Sequence, residues 1–191
     1  MKLVGSGTSP YVRRIRLLLV DQPYEFVDLN IYGEGREVLR QHSPTLQIPM
    51  LQDGEQALYD SRIIGRYLCA KLGHAPLSWQ QENLLTLADA VNDANVVLLL
   101  SKRSELPVEE DRLYYRLQRE RTASCLAALE QQAAQGAFNE WNFASICLYC
   151  MLDWVAFREL VALSDYPALQ KFWQQNQQRP GVQATDPRLA V

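Results

Sequence analysis

Hydrophobic positions change their period near residue 75. Before it, apolar runs of strand length are separated by turns. Lys2-Leu3-Val4 is a brief strand candidate ended by Gly5-Ser6-Gly7. Tyr11 to Val20 then places Val12, Ile15, Leu18 and Leu19 on one helical face, and Gln22-Pro23 stops that helix. Residues 24–29 alternate as a second strand, and Ile48-Pro49-Met50-Leu51 reads as a third. A turn at Asp53-Gly54 leads into a short strand at Ala57-Leu58-Tyr59. Ser61 to Leu72, with Ile64, Leu68 and Leu72 on one face, reads as a helix closed by Gly73. The order is strand, helix, strand, helix or loop, strand, strand, helix, a small α/β layer with a hairpin at its far edge.

After residue 75 the strand pattern vanishes. Long helical stripes run over 83–102 and 109–135, separated by a break at Ser104-Glu105-Leu106-Pro107. A further apolar helix is predicted over 142–163, and a shorter one over 166–178 before Arg179-Pro180-Gly181. We therefore expect an α/β domain at 1–75, a linker at 76–82 and an all-helical domain at 83–191.

Composition narrows the function. A chain of 191 residues with 48% hydrophobic content can bury its own core without disulfide or metal staples. A formal charge of −3 supplies no general attraction to nucleic acid. No apolar run approaches the roughly 20 residues that cross a membrane, and no cleavable leader is evident, so a cytoplasmic location is expected. Cys69, Cys125, Cys147 and Cys150 sit in apolar helical contexts and read as buried thiols, because Cys147-x-x-Cys150 lacks the strand-to-helix setting of a redox pair. His42 and His74 lie in no ligand-spaced cluster, so no metal is expected.

Four blocks, in order, resemble the glutathione transferase family, particularly small bacterial members with a serine near the start. They are residues 1–14 with Ser9-Pro10-Tyr11-Val12-Arg13, the Ile48-Pro49-Met50-Leu51 segment, Leu58-Tyr59-Asp60-Ser61-Arg62, and Asn142-Phe143-Ala144-Ser145-Ile146. The resemblance implies a thioredoxin-like domain followed by a transferase-type helical domain, a homodimer, and glutathione as the ligand.

It also assigns roles. Ser9 stands where the first strand turns into the first helix, where unpaired N–H groups favour negative charge. A thiol with an ordinary pKa near 8.5 must be lowered by about two units, or about 2.7 kcal/mol, to be mostly ionised at neutral pH. A serine hydroxyl with backbone donors is suited to that, whereas no base is in view that would make Ser9 a nucleophile. Read locally, Ser9 or Thr8 is equally a helix cap. By resemblance, Pro49 follows a cis bond and Ile48 pairs its backbone with the cysteinyl unit of glutathione. Ser61 receives the γ-glutamyl carboxylate, Asp60 accepts from the ammonium or caps the helix, and Gln47 meets the glycyl end. Relatives often have glycine where this chain has Leu46. Tyr11, Tyr32, Asn95 and Leu99 are candidate walls for a small hydrophobic electrophile. A glutathione-dependent reductase or peroxidase, and a noncatalytic binding protein, are the alternatives on the same scaffold.

Overall fold

Leu3 and Val4 have no solvent exposure, which is why four residues suffice for β1 (Lys2–Gly5): the strand is covered on both sides and paired along both edges. The computed structural model describes residues 1–190. They form α1 (Pro10–Leu18), β2 (Glu25–Asp28), α2 (Gly35–His42), β3 (Met50–Asp53), β4 (Gln56–Tyr59) and α3 (Ser61–Lys71). Then follow α4 (Trp79–Arg103), α5 (Leu113–Ala134), α6 (Phe143–Phe157) and α7 (Pro167–Gln175), with 3-10 turns at Leu163–Asp165 and Pro187–Ala190. The chain divides into two compact units. One is Met1–Pro76 together with the chain from Gln177 onward; the other is Leu77–Asn176.

In the first unit the sheet order is β2-β1-β3-β4. β1 runs parallel to β2, with Gly5 opposite Asp28, and antiparallel to β3, with Val4 opposite Met50. β3 and β4 form an antiparallel hairpin that sets Met50 opposite Tyr59. Helix α1 seats closely on the sheet because Gly5 has no side chain: a Cβ there would stand 2.4 Å from Val12 Cγ2. Val12 and Ile15 from α1 and Ile64 and Leu68 from α3 join Leu3, Val4 and Leu51 in the core. The undecided stretch between β2 and β3 is a helix, α2, whose buried residues are only Gly35 and Leu39.

The second unit is helical throughout. Its centre is α6, buried from Phe143 to Val155 and taking Cys147 and Cys150 with it, each 1% exposed. The apolar composition of α4 would suit a membrane span, yet Leu84, Leu85, Ala88, Val91 and Ala94 are buried, and the helix packs on α5 and α6 as a core element. It begins at Trp79, four residues before the predicted stripe. Ser78 and Gln81 make a capping box there, Ser78 Oγ accepting from Gln81 N at 3.3 Å and Ser78 N donating to Gln81 Oε1 at 2.9 Å. Helix α6 is capped by Asn142, whose Oδ1 accepts from Ser145 N at 3.1 Å. It stops at Phe157, six residues short of the predicted end, with Glu159 at φ 54° just beyond. Helix α7 receives its cap from α5: Glu130 accepts from Ala168 N and Leu169 N at 2.8 and 2.9 Å.

Candidate functional site

The sheet register gathers three segments at one end of the first unit. Val4, Met50 and Tyr59 are neighbours across β1, β3 and β4. The turn leaving β1 carries Ser9, the segment entering β3 carries Gln47, Ile48 and Pro49, and the turn leaving β4 carries Asp60 and Ser61. Strand pairing thus brings Ser9 to a common edge with residues 38 or more positions away in sequence.

Ser9 is the N-cap of α1, at φ −84° and ψ 128°, with Pro10 as the first helical residue. Its N–H donates to Ser6 O at 3.0 Å, and its carbonyl accepts from Arg13 N at 3.0 Å. Its Oγ accepts from Val12 N at 3.4 Å, longer than an ordinary N–H···O bond. That contact uses an acceptor lone pair only; the hydroxyl proton takes no part in it. The preceding turn is pinned by a residue that periodicity alone does not single out: Gly7 N donates to Asp28 Oδ1 at 2.9 Å across the β1–β2 edge. Thr8 is paired with Ser6, Oγ to Oγ at 3.2 Å. Tyr11 is half-buried, with the Arg14 guanidinium 4.9 Å from its ring centre.

The Ile48–Pro49 peptide is cis, the geometry the resemblance implies, and the ladder of β3 begins at Met50. Ahead of it, Leu46 adopts φ 54°, the left-handed conformation in which glycine is at ease. The loop holds this shape through its neighbours. Ser43 Oγ donates to Gln47 O at 3.3 Å, Gln47 N donates to Thr45 Oγ1 at 3.3 Å, and Arg36 Nη1 donates to Leu46 O at 3.3 Å. Both backbone groups of Gln47 are therefore engaged while the residue is exposed. The supporting roles of Thr45 and Arg36 had no signal in the sequence.

Asp60 is the N-cap of α3 at φ 67° and ψ 126°. The N–H groups of Arg62 and Ile63 donate to its Oδ1 at 2.9 and 3.1 Å. Asp60 is exposed, and Ser61, the first residue of α3, is 5% exposed. Both carboxylate capping contacts fall on one oxygen.

The remaining sequence candidates divide. Tyr32 is 68% exposed in the loop before α2, its N–H donating to Asn30 Oδ1 at 3.3 Å. Leu99 is half-buried on α4. Asn95 is 2% exposed, and its Nδ2 donates to Val91 O at 2.8 Å and to Thr122 Oγ1 of α5 at 3.3 Å. Its Nδ2 group is thus engaged inside the helical unit, where Asn95 bridges α4 and α5. Burial pushes the thiols of Cys69 and Cys125 up, away from reactive thiolate character. Among the described residues no group of three or more His, Cys, Asp or Glu is placed to hold a metal ion.

The comparisons with known proteins agree along the chain. A family model described as the glutathione S-transferase N-terminal domain matches residues 3–76, and one described as the C-terminal domain matches residues 85–181. Residues 182–190 lie beyond both. The uncharacterized GST-like protein YibF of Escherichia coli is 31% identical over 206 aligned positions, covering 100% of both chains. A glutathione transferase family member from Pseudomonas fluorescens, solved with bound glutathione, is 28% identical with a TM-score of 0.81, covering 97% of this chain and 98% of its own. A glutathione S-transferase from Methylobacillus flagellatus, also with glutathione bound, shares the fold at a TM-score of 0.85 and 24% identity, over 97% of this chain and 98% of its own.

Proposed function

This chain belongs to the glutathione S-transferase family, and from that premise we propose that it binds glutathione at the sheet end described above and ionises its thiol against Ser9. The observation that carries the reading is the state of the Ser9 hydroxyl: its cap contact to Val12 N consumes an acceptor lone pair and leaves the O–H out of the bond. A hydroxyl donating to a thiolate makes a charge-assisted bond worth about 1.5–3 kcal/mol. The N-terminus of α1 adds about 0.3–1 kcal/mol for a nearby negative charge. Together these cover the roughly 2.7 kcal/mol that lowers a thiol by two pKa units.

The rest of the tripeptide is held by the two other segments. Its γ-glutamyl carboxylate meets Ser61 and the first turn of α3, where backbone donors favour an anion. Its ammonium faces the Asp60 carboxylate, whose capping contacts use Oδ1 and not Oδ2. Ile48 and Pro49 lead into β3 and offer the backbone of Ile48 to the cysteinyl unit, in the manner of an added strand. Gln47, exposed beside them, serves the glycyl end. The ionised sulfur then attacks a small hydrophobic electrophile, for which Tyr11 and Tyr32 are the proposed contacts. We further propose a cytoplasmic homodimer.

The test is a pH titration of the ultraviolet thiolate band of bound glutathione, with Ser9→Ala and Ser61→Ala beside the wild type. Ser9→Ala is expected to raise the bound thiol's pKa by about 1–2 units, the equivalent of one charge-assisted bond. Ser61→Ala is expected to weaken binding while leaving that pKa in place. Absence of saturable glutathione binding by the wild type would end the proposal. Turnover of aryl halides and epoxides, set against hydroperoxides and mixed disulfides, separates transfer from reduction.

A further inference from the structure

The chain beyond α7 returns to the first unit and touches α1 and the catalytic turn on either side of Ser9. On the far side is Arg13, only 3% exposed. Its Nε donates to Thr185 Oγ1 at 3.2 Å, and its Nη2 donates to Val182 O at 2.9 Å. Thr185 is itself 5% exposed and passes its own proton to Gly181 O at 2.8 Å, so the hydroxyl is both acceptor and donor in one linked set. The same Arg13 backbone N–H is bonded to Ser9 O at 3.0 Å. On the near side is Gly7: a Cβ there would meet the Ala190 Cβ at 2.7 Å and Asp28 Oδ2 at 3.1 Å, so the end of the segment lies directly against the turn. Between these contacts the segment is kept rigid by its own bonds, Thr185 N to Gly181 O at 3.0 Å and Leu189 N to Asp186 O at 3.1 Å.

We propose that Arg13 is a positioning residue for the thiol site, acting with Thr185 to hold the C-terminal segment so that it brackets Ser9 between Gly7 and the first turn of α1. The inference rests on the reading of Ser9 given above. Its chemical sense follows from the long Ser9–Val12 contact. A cap at 3.4 Å restrains the Ser9 side chain weakly, so the direction of its O–H depends on how firmly the backbone on both sides is held. An arginine fork to a hydroxyl and a carbonyl supplies a fixed direction that a single point charge would not.

Full-length Thr185→Val keeps the shape of the side chain but loses both hydroxyl bonds, whereas Thr185→Ser keeps them. Ala190→Gly removes the methyl group against Gly7 and leaves the Arg13 fork untouched. Two readouts apply to each variant: the pKa of the bound glutathione thiol, and hydrogen exchange at the Ser9 and Val12 amides without ligand. Thr185→Val is expected to speed exchange at both amides and to cut the thiolate-to-thiol ratio at neutral pH by at least about threefold, equivalent to a pKa rise of about half a unit. Thr185→Ser is expected to behave as the wild type, and Ala190→Gly to speed exchange at Ser9 to a smaller extent. A Thr185→Val protein that melts lower but keeps wild-type exchange at Ser9 and Val12 and a wild-type thiol pKa would overturn the proposal, reducing the fork to a structural tie. If the wild type forms no glutathione thiolate, the functional reading of Ser9 falls on its own. The exchange measurement then decides whether the segment orders the turn.

Discussion

Asp60 carries two separable jobs, and two substitutions pull them apart. Its Oδ1 accepts from Arg62 N and Ile63 N, closing the first turn of α3. Asp60→Ala removes that cap, at about 1 kcal/mol, and the negative charge beside the helix N-terminus, at about 0.5 kcal/mol. It also leaves alanine at φ 67°, a conformation that aspartate tolerates through its local hydrogen bonds and alanine does not, for about 0.5 kcal/mol more. The sum is about 2 kcal/mol, or about 4–8 °C in melting temperature for a chain of this size. Asp60→Asn keeps an oxygen acceptor and tolerance of positive φ, losing only the charge, for about 0.5 kcal/mol and 1–2 °C. Against glutathione the order changes. Both variants lose the carboxylate that faces the ammonium, an exposed charge pair worth about 0.4–1 kcal/mol, so both should bind about two- to fivefold more weakly. Thermal melts of the free protein and calorimetric titration with glutathione measure the two effects separately. If Asp60→Ala proves no less stable than Asp60→Asn, the side chain does not cap α3. If Asp60→Asn binds glutathione as tightly as the wild type, the ammonium is held elsewhere.

Two further outcomes follow from the same unit. Leu46 sits at φ 54° and is half-buried, so glycine there relieves backbone strain while losing side-chain burial and adding unfolded-chain entropy. Leu46→Gly is expected to unfold in urea within about 0.5 kcal/mol of the wild type, whereas Leu46→Val, β-branched at positive φ, should be clearly less stable. The reverse order would refute the strain reading. Asp53 is held below its ordinary value of 3.8 by a hydrogen bond from Lys71 and then one from Tyr67 Oη, the latter at 2.7 Å. Because its folded pKa is depressed, its contribution is fully present above the unfolded value and fades as pH falls through the folded one. The stability gap between wild type and Asp53→Asn should therefore be level above about pH 5 and narrow below about pH 4. A gap that widens on acidification would reverse the sign of the coupling.

Periodicity made most of the first unit legible where apolar residues are buried: Leu3 and Val4 in β1, Met50 and Leu51 in β3, Val12 and Ile15 in α1, and Ile64 and Leu68 in α3. It was silent on α2, a short helix in which Leu39 is the only buried large side chain. The start of α4 was missed for a related reason: its first turn holds Trp79, 83% exposed, and Gln80, so the box formed by Ser78 and Gln81 had no apolar run directly behind it. Asn95 entered as a candidate wall through the resemblance, and its bond to Thr122 depends on α5 lying alongside. The return of residues 182–190 to α1 joins positions 169 and 172 apart, and no local window contains such a contact.

Ser9 and Asp60 posed a different difficulty, which geometry removes. From local sequence, each reads as a helix cap or as a ligand contact, and the two readings compete because N-cap residues and anion-site residues are drawn from the same short polar side chains. The structure makes both residues caps, which would count against the ligand roles if capping exhausted them. It does not. A hydroxyl has a donor and two acceptor sites, and a carboxylate has two oxygens, while the caps take one acceptor site of Ser9 and one oxygen of Asp60. Capping therefore does not consume the group that ligand chemistry requires. It follows that a substitution preserving the cap while changing only the second function is the informative one. For Asp60 that is asparagine. For Ser9, threonine keeps the hydroxyl and the cap but adds a methyl group at the turn. Ser9→Thr should hold the stability of α1 close to that of the wild type, and a bound-thiol pKa that stays near the wild-type value would show that the hydroxyl, and not the size of the side chain, holds the thiolate.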